Sequence, residues 1–530
     1  MKIEIYDTTL RDGAQGAGID FTDDNRISII HALDDLGVTY IEAGNIASAS
    51  DAAFFAHCDE VKLKNSQLVV FCSTRHAKKS VEDDAGLAAI AESPVENVAI
   101  FGKCWEYQVT TVLGTTAEEN YKMIRESIEY LKRAGKRVFF DAEHFFDGFS
   151  DSPDFAISVL ETALDAGADY LVLCDTNGGM MPQAIGVAVS TVKKRLPSAK
   201  ISIHCHNDLG MAVAGSAEAV LSGAVQVQCT MCGIGERCGN CNLTTILPLL
   251  QLKLGYSCIT PEQLKMLTKT ARYIMESANL SFDEHEPFVG GYAFTHKAGM
   301  HIDGVRKKPR TFEHISPELV GNADNLLISS TAGRSAYRAA LSRIAPELNI
   351  VGDDEKLSAV IARIKEYEAK GFQFESAEAS MYLIMLEALG MNRHSFDLLT
   401  FRVMISEPLS INPNSKTSAL IKVSIPNGDG ETVEEITAGE GDGPVNALDV
   451  ALRRALSGFY PKLSGMRLSD FKVRVLDSSN TTASSVRVYI ESTDGVSLWR
   501  TVGVSVDIVD ASWQALRDSI DYYLLKGANL

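Results

Sequence analysis

The sequence contains no apolar run of the roughly 18 residues a membrane-spanning helix needs. Its start, Met1-Lys2-Ile3-Glu4-Ile5-Tyr6-Asp7, lacks the long apolar core of a secretory signal. Neither a membrane span nor export is expected, and the chain reads as cytoplasmic. Basic runs are short as well: none exceeds Arg306-Lys307-Lys308, in a chain of formal charge −19. That argues against nucleic acid or an anionic membrane as the main partner, while a small anionic substrate held by local charge stays open. No Gly-x-Gly-x-x-Gly follows the first strand candidate, which weighs against a dinucleotide-binding fold. Ten cysteines in 530 residues do not make a disulfide scaffold. Cys229-x-x-Cys232 and Cys238-x-x-Cys241 look like paired zinc knuckles, but only five residues separate the pairs. A tight, glycine-punctuated loop with free thiols is the expected structure.

What is present is an ordinary globular composition, 45% hydrophobic and 22% charged, in a chain long enough for two or three domains. To about residue 250 one phrase recurs: an amphipathic helix, a glycine, then a short apolar strand with a polar end. Leu36-Gly37-Val38-Thr39-Tyr40-Ile41-Glu42 and Ala166-Gly167-Ala168-Asp169-Tyr170-Leu171-Val172 are examples. Eight strand candidates start near Ile3, Tyr40, Leu68, Val98, Val138, Tyr170, Ile201 and Val225. Eight such units in so short a span predict a closed (β/α)8 barrel. Beyond it, helical patterns run to about Gly390, interrupted by a glycine-containing basic stretch from Gly290 to Arg310. The rest alternates in part as half-buried strands do and repeats a strands-then-helix unit twice, which predicts a separate α+β domain. The expected division is a catalytic barrel over 1–260, helical linker subdomains with a site-covering segment over 261–395, and a C-terminal regulatory and dimerisation domain over 396–530.

The barrel reading demands that reactive side chains gather where strands end. Arg11 and Asp12 follow the first strand, Glu42 ends the second, Lys103 the fourth, Asp141 and Glu143 the fifth, Asp175 and Thr176 the sixth. His204 and His206 end the seventh, two residues apart and so on one face of a strand, and Asn240 lies in the loop after the eighth. Taken by itself the histidine pair is as readily incidental as functional. With Asp12 and Asn240 it forms a mixed nitrogen and oxygen shell suited to Mg2+, Mn2+ or Zn2+, with positions left for water or substrate. Such an ion can chelate a 2-keto acid and polarise its carbonyl. Arg11 can stabilise the oxygen as that carbonyl becomes an alkoxide, Glu143 can pair with Arg11 or relay protons, and Thr176 can hydrogen-bond a carboxylate. His144 would face the other way if its strand continues. His296, His301 and His314 lie beyond the barrel, and as isolated residues they read as exposed loop histidines.

Three segments together resemble the acetyl-CoA-dependent Claisen synthases of the 2-isopropylmalate, homocitrate and citramalate group. They are Asp7-Thr8-Thr9-Leu10-Arg11-Asp12-Gly13-Ala14-Gln15, His204-Cys205-His206-Asn207-Asp208-Leu209-Gly210 and Gly233-Ile234-Gly235-Glu236-Arg237-Cys238-Gly239-Asn240. Asp141-Ala142-Glu143-His144-Phe145-Phe146-Asp147-Gly148, Cys174-Asp175-Thr176-Asn177-Gly178-Gly179 and Phe294-Thr295-His296-Lys297-Ala298-Gly299-Met300-His301 point within that group to the citramalate branch. The resemblance implies a divalent ion on Asp12, His204 and His206 with Asn240 as a further ligand, and acetyl-CoA as cosubstrate. It implies Arg11, Glu143 and His301 as catalytic, His301 reaching the mouth from the partner of a homodimer. Arg11, Asp141, Thr176 and Asn45 would face the keto acid, pyruvate in this branch, and the C-terminal domain would bind isoleucine, the end product of the pathway. Other readings are the same chemistry on the keto acids of 2-isopropylmalate or homocitrate synthesis, a barrel-type metal-dependent acyl-CoA lyase, and a non-catalytic amino-acid sensor. The sequence departs from the family pattern at Glu42-Ala43-Gly44-Asn45-Ile46, where a Gly-Gly-aromatic-Pro turn is expected. It departs again at Phe312, where relatives tend to carry tyrosine.

Overall fold

Eight parallel strands close into a barrel in sequence order: β1 Glu4–Asp7, β2 Tyr40–Asn45, β3 Gln67–Ser73, β4 Asn97–Lys103, β5 Arg137–Glu143, β6 Tyr170–Asp175, β7 Ile201–Cys205 and β8 Gln226–Cys229. Each starts within a residue of its sequence expectation. The structure, a computed structural model, describes all residues except 57, 59–60, 297–298, 323–333, 349, 375–376, 392–393, 406–415, 428–430, 477–483, 496 and 527–530. Lys297 and Ala298 of the histidine-bearing stretch thus lie outside the described residues. Residues 1–295 and 313–325 form one compact unit, and 296–312 with 326–530 form a second.

Local chemistry sets the βα rhythm. The hydroxyl of Thr22 caps the helix Asp23–Leu36 by accepting from the Asn25 N–H at 3.3 Å, and Gly37 ends that helix at φ 89°. This left-handed conformation costs glycine nothing and other residues about 1 kcal/mol or more, and it turns the chain directly into β2. Helices such as Ala117–Arg133, Pro153–Asp165 and Pro182–Arg195 then bury one apolar stripe against the outside of the strands, with Ile29, Leu33, Leu131, Leu160 and Val189 fully enclosed.

The barrel interior is layered. At the amino ends of the strands the inward residues are polar and tied together: Tyr170 Oη and Gln226 Nε2 donate to Glu4 Oε2 at 2.8 and 3.2 Å, and Arg137 Nη1 donates to Gln67 Oε1 at 3.0 Å. Above them Tyr6, Tyr40, Phe139 and Tyr170 fill the middle, Phe139 stacked on Tyr170 at 4.6 Å between ring centroids and edge-on to Tyr40 at 5.0 Å. Pairs of this kind add about 0.5–1.5 kcal/mol each beyond their buried area. One strand period higher, at the carboxyl ends, come Glu42, Asp141, His204 and Gln228, so alternation along the strands carries the chain from plug to chemistry in two residues.

In the second unit, helices Arg334–Ile344, Asp354–Ala369 and Glu378–Ala388 share a core that includes Tyr337, Leu341, Val360, Ile364 and Tyr382. There follow two copies of a three-stranded antiparallel sheet closed by a helix. In the first, β9 Asp397–Ile405, β10 Thr417–Pro426 and β11 Thr432–Gly441 are covered by Pro444–Leu456. In the second, β12 Arg467–Val475, β13 Val486–Thr493 and β14 Leu498–Ser505 are covered by Ile508–Lys526. This is the repeated strands-then-helix pattern expected from the sequence. Among the described residues no helix is long and apolar enough to cross a membrane.

Candidate active site

The turn after β1 is built by its own side chains. Asp7 accepts from the N–H and the hydroxyl of Thr9 at 2.9 and 2.8 Å, and the carbonyl of Thr8 accepts from the N–H groups of Arg11, Asp12 and Gly13 at 3.1, 2.9 and 3.0 Å. The chain therefore coils at the barrel mouth and directs Arg11 and Asp12 into it. Burial pushes the Asp7 carboxyl up to about 7, against the two bonds from Thr9.

Arg11 pairs with Glu42, the inward carboxylate of β2, and its guanidinium carbon lies 4.0 Å from the centroid of the Phe71 ring. The second Glu42 oxygen accepts from Tyr6 Oη at 2.5 Å. Burial opposes the guanidinium charge, but Glu42 and Asp12 more than offset it. The sequence offered Glu143 as a partner for Arg11, and the structure corrects this. Glu143 instead holds Lys103, its register neighbour on β4, with Nζ 2.5 Å from Oε2. β2, not β5, is hydrogen-bonded beside β1.

Asp12, His204 and His206 bring one ligand atom each within 4.8 Å of one another, all three residues buried. Nε2 of His204 lies 3.2 Å and Nε2 of His206 3.8 Å from Asp12 Oδ2. On its other side His204 Nδ1 lies 2.9 Å from Gln228 Oε1, and the tautomer that donates from Nδ1 to that oxygen leaves Nε2 facing Asp12 as a lone pair. A lone pair and a carboxylate oxygen face to face need a positive charge between them, either a proton or a divalent cation. Burial and then the neighbouring His204 push His206 down to about 4, which keeps its ring neutral and able to coordinate. Against the cost of burial, Arg11 and the two histidines hold the Asp12 carboxyl well below the usual range. The donor set fits a divalent metal. β7 ends at Cys205, so His206 owes its position to a bridge with Asn240 and to the bond from its N–H to the Asp175 carbonyl at 3.2 Å, not to a continuing strand.

Asn240 joins the cluster with its nitrogen, Nδ2 donating to Asp12 Oδ2 at 2.6 Å. A half-turn of the amide would present Oδ1 to the same point, the orientation a cation selects. Asp141 is buried, and desolvation with the charge of Glu42 pushes it up to about 7 against His204 and Arg11. The hydroxyl of Thr176 accepts from the N–H of His144 at 2.8 Å. Asn45 Oδ1 accepts from the Ala47 N–H at 3.0 Å in a local turn. His144 does not continue β5: at φ 58° it turns the chain into the helix Phe145–Asp151, its Nδ1 3.1 Å from Asp147. His301 belongs to the second unit, on the helix Gly299–Lys307, where its ring stacks on Phe312 at 4.4 Å.

Gln228 and Tyr6 were not singled out as site groups from sequence, and Lys103 and Glu143 were named there singly rather than as a pair. The strand alternation that led to His204 also selects Gln228, two residues after an inward Gln226, and could have found it.

All ten cysteines are free. Cys238 is exposed and Cys232 partly so, while the other eight are buried. Titration of the native protein with a disulfide reagent should therefore modify about one thiol quickly, the remainder only after denaturation. Rapid reaction of several thiols would contradict the packing around Cys229 and Cys241.

An HMGL-like family model matches residues 2–274, a homocitrate synthase post-HMGL domain-like model residues 288–371, and a LeuA allosteric (dimerisation) domain model residues 375–524. The chain is 46% identical to the (R)-citramalate synthase of Aquifex aeolicus over 99% of its length and 98% of that protein's. It is also 46% identical to that of Geobacter sulfurreducens, over 100% and 98%. The 2-isopropylmalate synthase of Halalkalibacterium halodurans is 30% identical over 98% and 96%.

Proposed function

Because this chain belongs to the (R)-citramalate synthase family, we propose that its barrel mouth joins the acetyl group of acetyl-CoA to pyruvate and hydrolyses the thioester, releasing (R)-citramalate and CoA. The observation that carries the chemistry is the buried Asp12–His204–His206 cluster with the Arg11 guanidinium beside it. A divalent cation, for which Mg2+ or Mn2+ suits the oxygen-containing shell and Zn2+ is the alternative, supplies Lewis-acid polarisation of the keto group when bound by Asp12, His204, His206 and a turned Asn240. Arg11 offers N–H groups at the guanidinium edge not taken by Glu42 to the oxygen that gains charge as the new carbon–carbon bond forms, and Glu42 keeps that edge aimed. Thr176, with its oxygen already accepting from His144, has its own O–H left to donate to the keto-acid carboxylate. We assign to Glu143 the taking and returning of protons at the mouth, and to His301, contributed by the partner subunit of a dimer, the role of further acid or base.

In this reading Asn45 and Asp141 line the wall that selects the keto acid. The barrel 1–260 is catalytic, the helices of 261–395 carry the covering segment, and 396–530 serves dimerisation and binds isoleucine as a feedback effector. The protein is assigned to the cytoplasm. The larger keto acids of 2-isopropylmalate and homocitrate synthesis are the second choice, because the Aquifex aeolicus citramalate synthase is 46% identical to this chain and the 2-isopropylmalate synthase 30% over a similar span.

A panel of keto acids tests this directly. With Mn2+ and acetyl-CoA, pyruvate should release CoA thiol with a kcat/KM at least about tenfold above 2-oxoisovalerate and 2-oxoglutarate, and added isoleucine should lower the rate. Preference for a branched or dicarboxylic keto acid would overturn the substrate, and cleavage of a 3-hydroxyacyl-CoA to acetyl-CoA in the absence of any keto acid would favour a lyase.

A further inference from the structure

Three loops of the barrel mouth converge on one guanidinium. Arg237, in the loop after β8, has φ 54°, a left-handed conformation that surrounding contacts must sustain in a residue other than glycine. Its Nε and Nη2 donate to Asp208 Oδ1 and Oδ2, both at 2.9 Å, and Nη2 also donates to the carbonyl of Thr176 at 2.8 Å. Asp208 is in the loop after β7, and Thr176 directly follows β6. The loops bearing Asp208 and Thr176 approach closely: the Leu209 N–H donates to the Gly178 carbonyl at 3.1 Å, and a Cβ on Gly178 would lie 2.4 Å from Asp208 Oδ2. The Arg237 and Asp208 side chains are 42% and 27% exposed, so as an ion pair they contribute at most about 1 kcal/mol to stability. What the planar fork provides is geometry, two parallel bonds to the carboxylate and a third to a main-chain oxygen, which a lysine cannot reproduce.

Thr176 is thus held from two sides, its carbonyl by Arg237 and its hydroxyl oxygen by the His144 N–H. We propose that Arg237, oriented by Asp208, is a positioning residue that fixes the main chain of Thr176 so that its hydroxyl hydrogen is directed at the carboxylate of the keto acid. This rests on the assignment of Thr176 to that carboxylate. Arg237 itself makes no contact with the reacting atoms and acts through Thr176.

The experiment is steady-state kinetics of the full chain with pyruvate varied at saturating acetyl-CoA and Mn2+, together with a Mn2+ titration. Arg237→Gln should raise KM for pyruvate about tenfold, change kcat by less than about threefold and leave Mn2+ affinity unaltered. Arg237→Lys should recover little of this, and Asp208→Asn, which keeps shape and removes the fork's partner, should reproduce it. The double variant Arg237→Gln/Thr176→Ala should be no worse than Thr176→Ala alone, since both act on one interaction. A fully additive double variant, or a fall in kcat and Mn2+ affinity with KM unchanged, would show a merely structural role and overturn the proposal. A Thr176→Ala variant with unaltered KM would overturn the underlying assignment, whereas a raised KM in Thr176→Ala but not in Arg237→Gln or Asp208→Asn overturns the latch alone.

Discussion

Asp12→Asn should lower citramalate formation by about a thousandfold and weaken Mn2+ binding by more than the roughly hundredfold that loss of an outer partner costs. The substitution keeps size and shape and removes the one anionic oxygen toward which His204 Nε2, His206 Nε2 and Asn240 Nδ2 all turn. Two neutral imidazoles and an amide without a carboxylate make a poor site for a hard cation. Metal affinity, read by electron paramagnetic resonance of Mn2+, separates this from a loss of chemistry alone. Near-normal Mn2+ binding in Asp12→Asn would remove the cluster from the mechanism.

The second large effect combines rate and stability in one residue. Arg11→Met should cost about 100- to 1,000-fold in kcat, the usual price of one lost oxyanion donor. It should also destabilise the barrel by about 3–5 kcal/mol, because Glu42 is 0% exposed and would be left as a buried, unpaired carboxylate beside Tyr6. Adding Glu42→Gln should restore most of the stability and none of the rate. Arg11→Lys keeps a charge but not the fork that spans Glu42 and the keto oxygen, and should recover stability more than turnover. Urea unfolding followed beside kcat decides the matter: an unchanged midpoint for Arg11→Met would mean that Glu42 is neutralised in some other way.

Sequence and structure agree where chemistry is local. Strands β2, β5, β6 and β8 were legible because a glycine, Gly37, Gly135, Gly167 or Gly223, closes the helix before them and an apolar run follows, and His204 was legible because its strand alternates. What could not be read was which neighbour each side chain meets. Arg11 takes Glu42 rather than Glu143 because β2 is hydrogen-bonded beside β1 while β5 lies across the barrel, and which inward carboxylate the guanidinium then meets is not written in its spacing along the chain. His206 lies past the end of β7 and is placed by Asn240 and Asp175, contacts that depend on two other loops. His144 looked like a strand residue facing away until its left-handed turn put its N–H on Thr176. Arg237 stood in a quoted motif without a role, since a bond to a main-chain carbonyl 61 positions away leaves no trace in composition.

The tyrosines and phenylalanine stacked under Glu42, sealed below by Glu4, Gln67, Arg137 and Gln226, make the barrel a well with a floor and no drain. Whatever descends as far as Asp141 must return by the route it took in. In the proposed reaction a keto acid held at the depth of Asp141 therefore leaves only after whatever lies above it has gone.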